Sequence, residues 1–271
     1  GKAGSDCLTA AIHTESPARG PQMRKYDIIR DIALALVLLT RLPLPALPKH
    51  WFQHQASAVW AFPLAGLAIT LPACTVAMLA FWLGLSASIA AGLLISVQIV
   101  LTGAMHEDGL ADTADGFWGG FSPERRLEIM KDSQIGTYGV LALLLSIGLR
   151  WLALTTVLST VGVWAALALA VLSRAAMPIL MVTLSNARTS GLSQSVGRPS
   201  SAPAFLGLFI ALMISVPTIG MGTAPVIIAM GLATLAIAMI ARVKIGGQTG
   251  DVLGASQQIA ELSGLLVLIA L

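Results

Sequence analysis

Seven apolar stretches, roughly 28–42, 57–83, 87–104, 139–184, 203–219, 222–241 and 255–271, make up most of the chain. Several reach the roughly 20 residues that a helix needs to cross a bilayer core. A soluble fold cannot use so many, because its surface has to be charged. Here 11% of the 271 residues are charged and 56% are hydrophobic, with a mean hydropathy of +0.84, whereas a soluble domain carries about 25% charged residues. The chain reads as an integral membrane protein. The block 139–184 is too long for one crossing and is expected to fold as two, with a turn near Ser159–Gly162. The fold class that follows is all-α: a polytopic transmembrane helical bundle of about seven to eight membrane helices. Pro63, Pro72 and Pro178 interrupt helical runs, which membrane helices tolerate where neighbours satisfy the freed carbonyls. No internal repeat is visible, which argues against an inverted-repeat transporter.

Residues 1–22 are rich in Gly, Ser, Ala and Pro without an apolar period. They are expected to form a disordered tail ahead of a single transmembrane catalytic domain at 23–271, and they lack the hydrophobic region of a signal peptide. The net charge of +3 arises from 16 basic and 13 acidic residues without a dense Lys/Arg run, so a nucleic-acid partner is not expected. The lipid bilayer is one partner, and an oligomer is compatible with the composition. Cys7 and Cys74 lie in unlike contexts and have neither metal-ligand nor disulfide spacing.

The polar connections are unequal. Residues 105–138 hold Glu107, Asp108, Asp112, Asp115, Glu124, Glu128 and Asp132, seven of the chain's 13 carboxylates. Asp108, Asp112 and Asp115 fall at i, i+4 and i+7, within an arc of about 60° on one helical face. Three carboxylates so close repel one another unless something positive sits among them. Oxygen-only ligands favour a hard ion, Mg²⁺ with Mn²⁺ as the alternative. His106 is open between metal ligand, base and cap. Asp132 precedes a turn-like Ile135–Gly139 and is read as functional, whereas Glu124 and Glu128 suit surface pairing with their basic neighbours. Arg125, Arg126 and Lys131 are placed to clamp phosphate oxygens. Carboxylates, a hard metal and basic groups are the usual parts for phosphoryl transfer.

A second polar island, Gly246–Asp251, lies between two apolar spans. Its glycines would let backbone N–H groups approach an anion, with Gln248, Thr249 and Asp251 as candidate substrate contacts. Arg174 stands in a long apolar stretch, where a charge is expensive and faces a partner or a cavity. His13, His50 and His54 read as surface residues. Basic residues flank the first span (Arg24, Lys25, Arg30) and the polar island (Arg242, Lys244), which makes these connections cytoplasmic by the positive-inside rule.

The strings HEDGLADTADG at 106–116, RRLEIMKDSQIGTYG at 125–139 and GGQTGDVLGA at 246–255 resemble the cobalamin 5'-phosphate synthase family, also called adenosylcobinamide-GDP ribazoletransferase. TRLPLP at 40–45, FPLAGL at 62–67 and SRAAMPILM at 173–181 are similar to that family too, in the same order and spacing from about residue 26 to the end. The resemblance implies a Mg²⁺-dependent transferase of the bacterial inner membrane, with its acidic site on the cytoplasmic face. It would act late in vitamin B12 assembly, joining adenosylcobinamide-GDP to α-ribazole or its 5'-phosphate with release of GMP. It points to Asp108, Asp112 and Asp115 as the acidic motif, and to Lys131, Asp132 and Asp251 in companion motifs. Glu107 departs from the pattern, which is expected to be apolar there.

In that chemistry Asp108 and Asp112 would hold the metal and Asp115 or Asp132 would accept the proton. The acidic pattern also resembles, more loosely, that of CDP-alcohol phosphotransferases of lipid synthesis. A divalent-cation transporter is the reading from another class, but it would spread carboxylates near the midplane instead of clustering them at one edge.

Overall fold

The computed structural model describes residues 25–271, so the tail expected at 1–22 lies outside the described residues. Eleven α-helices follow one another: α1 (Lys25–Leu39), α2 (Phe62–Trp82), α3 (Ala87–Thr102), α4 (Met105–Gly119), α5 (Pro123–Ile129), α6 (Thr137–Thr160), α7 (Ala165–Thr183), α8 (Leu192–Val196), α9 (Ser201–Ile219), α10 (Thr223–Ile245) and α11 (Gly250–Ala270). No strand occurs among the described residues, and one parallel bridge joins Asn186 to Gln248. The protein is an all-helical polytopic bundle.

Five helical runs are long and apolar enough to cross a membrane, and a sixth arises if α3 and α4, bent by 86°, count as one broken span. One of the five, Ser201–Ile245, is 45 residues long, about twice what a bilayer accommodates. It breaks at Gly220–Gly222, where Gly220 takes φ 54°. It turns back there, since Gly207 of α9 meets Trp60 at one end of the bundle and Arg126 donates to the carbonyl of Lys244 at that same end. The expected turn after α6 is present at 161–164, with Gly162 at φ 110°. Pro63 does not interrupt a helix. It sits in the first turn of α2, where a missing N–H costs nothing.

Helix α7 is the inner post, with 83% of its span buried, and α11 follows at 72%, whereas the α9–α10 run is the least buried, at 22%. Small residues let the posts approach: Ala73, Ala77, Ala90, Ala168 and Ala175 are fully buried where α2, α3 and α7 meet, as in membrane helix packing generally.

The connections are strongly one-sided. At one end lie residues 40–61, 103–136, 184–200 and 246–249, with Arg41, Lys49, Arg125, Arg126, Lys131, Arg188 and Arg198. At the other end the turns 83–86, 161–164 and 220–222 carry no charged residue. Exposed Trp82 and Trp164 mark that far boundary and Trp118 the near one, as aromatic belts do.

Candidate active site

Helix α4 leaves α3 at a sharp corner. Gly103 and Ala104 both adopt left-handed backbone, φ 65° and 58°, and α4 then runs beneath the charged connections, packed on α11 and α6. Its close approach to α11 depends on Gly109, where a Cβ would stand 2.8 Å from the carbonyl oxygen of Asp251. That contact brings two distant acidic motifs to one place.

Above it opens a cleft of about 140 Å³. Its lining is mixed: polar, from His106, Asp108, Asn186, Arg188, Ser193, Gln248, Thr249 and Asp251, and apolar, from Phe62, Met177, Met181, Val196 and Leu253. The loop 184–191 is tied to the 246–249 turn by two backbone bonds, Ala187 N–H to Gln248 O at 2.9 Å and Gln248 N–H to Ser185 O at 2.8 Å. Gly247 is required there, because a Cβ would lie 2.3 Å from the Ser185 oxygen. Ser193 donates to Gln248 Oε1 at 2.7 Å, Gln248 donates to Asn186, and Thr249 caps α11 by accepting from Val252 N–H at 3.3 Å. Arg188 forms an ion pair with Asp251.

The three motif aspartates have different surroundings. Asp108 is exposed on the cleft wall, and Asp112 is half-buried one turn further along. Neither side chain makes a hydrogen bond or ion pair among the described residues, and the charges acting on Asp112 are Asp108, Asp251, Asp115 and Arg188. Asp115 is buried and turned the other way, accepting from the backbone N–H groups of Gly136 at 2.7 Å and Gly139 at 2.9 Å. It thereby caps the N-terminus of α6. Among the described residues no three His, Cys, Asp or Glu side chains gather around one metal-sized point. The free carboxylate of Asp108 on the cleft, with that of Asp112 one turn along α4, still suits Mg²⁺, which keeps several waters and is held by one or two carboxylates plus substrate phosphates.

His106 is buried and lines the cleft, with Nε2 lacking a partner among the described residues. Arg125 is exposed on α5 and pairs with Glu128 at 3.0 Å, Lys131 is exposed, and Asp132 accepts from Gln134 N–H at 3.1 Å. None of these last three lines the cleft: Arg125 is paired on the surface of α5, and Lys131 and Asp132 lie in the exposed connection between α5 and α6. Arg126 donates to the carbonyls of Gly120 and Lys244, at 3.0 and 2.8 Å.

Arg174 is buried in the bundle but not on the cleft. It stands 3.9 Å from Glu261 and donates to the Ala170 carbonyl at 3.2 Å, while Arg188, which the sequence reading passed over, holds Asp251. Arg174 belongs to a buried network centred on Arg150, whose guanidinium contacts Glu107 at 3.2 Å, Gln98 at 2.9 Å, Gln258 at 3.1 Å and Glu261 at 2.9 Å. Two arginines and two glutamates cancel in charge, as groups buried away from water must. The unexpected Glu107 is thus one member of a neutral set. Arg150 was findable by the argument applied to Arg174, since it too interrupts an apolar run. Arg188 was masked by the Ser- and Gly-rich stretch around it.

Residues 31–269 match the family model described as Cobalamin-5-phosphate synthase. The chain belongs to this family. It is 42% identical over 243 residues, covering 89% of the chain and 94% of the relative, to a protein of Bradyrhizobium diazoefficiens named adenosylcobinamide-GDP ribazoletransferase. Proteins of the same name from a Sinorhizobium species and from Azorhizobium caulinodans are 44% and 43% identical, over 88% and 90% of this chain and 95% and 97% of theirs. No solved structure matches the chain. The family assignment leaves the transporter and lipid-synthase readings without support.

Proposed function

We propose that the protein joins adenosylcobinamide-GDP to α-ribazole, or to its 5'-phosphate, and releases GMP, on the cytoplasmic face of the bacterial inner membrane. The observation that carries this reading is the cleft itself. It is lined by carboxylates and an arginine together with Phe62, Met177 and Met181, and so offers phosphate-binding groups and apolar contacts at once. The family and its named relatives support the substrates, and the basic residues at the cleft end of the bundle support its cytoplasmic orientation.

In the reaction a ribose hydroxyl of α-ribazole attacks the phosphorus attached to the corrinoid. A new P–O bond forms, the bond to the bridging oxygen breaks, GMP departs with that oxygen, and the hydroxyl's proton passes to water. Asp108 and Asp112 are the residues free to hold Mg²⁺ or Mn²⁺, which when bound neutralises diphosphate charge. Asp108 on the cleft, with Asp112 one turn along the same helix, would repel a diphosphate unless positive charge is added. Burial of the polar lining keeps its donors fixed, which is the protein's main contribution to phosphoryl transfer. The test is incubation of purified protein with adenosylcobinamide-GDP, α-ribazole and Mg²⁺. GMP and a nucleotide-loop corrinoid should appear together, and absence of both would overturn the reading.

A further inference from the structure

We infer that Arg188 is the residue that binds the nucleotide phosphate and carries the charge developing on the departing GMP, with Asp251 as its positioning partner. The inference rests on the proposed reaction and names a residue for it. Among the described residues that line the cleft, Arg188 is the only Lys or Arg. It is the one fixed positive charge on a wall that also presents Asp108 and Asp251.

Its guanidinium is only partly used. One terminal nitrogen meets Asp251, while Nε is buried and has no partner among the described residues. A buried donor left unsatisfied is costly, and a planar guanidinium offers its remaining N–H groups as a fork that matches two phosphate oxygens. The side chain is also held in place before any ligand arrives. The loop that carries it is pinned to the 246–249 turn by the Asn186–Gln248 bridge, and Asp251, in the first turn of α11, fixes its far side. Thr249 donates to the same Asp251 oxygen at 3.2 Å, so the carboxylate that orients Arg188 is itself oriented. On this geometry Asp251 is occupied as a second-layer anchor, while Asp108 and Asp112 remain free for metal.

The test measures binding of GMP, in the presence of Mg²⁺, to detergent-purified protein, together with steady-state kinetics. R188Q should weaken GMP binding at least about tenfold and lower kcat/KM for adenosylcobinamide-GDP by about 10²–10³-fold, the range for losing one charged donor in a preorganised site. KM for α-ribazole should stay unchanged. R188K should fall in between, because a point charge cannot form the fork. Since R188Q leaves Asp251 unpaired, the charge-neutral double variant R188Q/D251N is measured beside it and should lose GMP binding equally. Wild-type GMP affinity in either folded variant would overturn the assignment. Wild-type protein that binds GMP through Arg188 but forms no corrinoid product would instead overturn the proposed reaction and leave the phosphate site standing.

Discussion

The carboxylate of Asp115 lies 2.9 Å from the backbone N–H of Gly139 and reaches back from α4 to the start of α6. There is no room for a side chain at that contact, since a Cβ on Gly139 would stand 2.4 Å from an Asp115 oxygen. One residue of the acidic motif therefore fastens helices together while Asp108 lines the cleft.

From this follows a division of effects. Asp115→Ala should cost about 1–3 kcal/mol by leaving two backbone donors without their acceptor. A clear fall in melting temperature of the purified protein would register it, with activity falling in parallel. A D115A protein as heat-stable as wild type would show that the cap contributes nothing.

Asp108→Asn and Asp112→Asn should behave in the opposite way. Neither carboxylate bonds to another described residue, so melting temperatures should hold while GMP release drops by at least about 100-fold. Chelator should abolish wild-type activity, and Mg²⁺ or Mn²⁺ should restore it. Ca²⁺ should not, because it prefers more ligands at longer distances. Undiminished turnover in excess chelator would refute the assigned metal.

The buried network predicts a rescue. Arg150→Met leaves Glu107 and Glu261 with only Arg174 between them and should destabilise by about 3–5 kcal/mol, the usual result of stripping one partner from a buried pair. The double variant E107L/R150M keeps the set neutral, with Arg174 facing Glu261, and should recover most of that loss. Melting curves of the two single variants and the double decide it, and an additive result would deny the coupling.

Orientation can be read by labelling. With Cys7 replaced by Ser, single cysteines at Ser133 and Ser190 should react with an impermeant maleimide from one side of sealed vesicles. A cysteine at Val161 should react only from the other. The native Cys74 is buried and should stay silent. Ser133 and Ser190 reacting from opposite faces would contradict a shared site.

The spans were legible because lipid imposes length and apolarity on each helix separately, so runs such as 139–184 announce themselves and even their turn. The helical row of aspartates was legible for the same local reason. What stayed hidden depends on residues far apart in sequence. Nothing near Asp115 signals that Gly136 and Gly139, 21 and 24 positions on, will claim its oxygens. Asp251 gives no sign that Arg188, 63 positions away, will pair with it. Glu107 looked anomalous only because its counter-charge, Arg150, is 43 residues later on another helix.

The uncharged turns at 83–86, 161–164 and 220–222 have an energetic consequence. Among the described residues those far turns offer a diphosphate no charged side chain, so reactants are expected to arrive and products to leave by the cleft end. No net charge then crosses the bilayer during turnover. A membrane potential does about 2.3 kcal/mol of work on each charge moved through 100 mV, and here it has no charge to act on. The enzyme should run at one rate in energised vesicles, in collapsed ones and in detergent, with the membrane serving as its support and not its power supply.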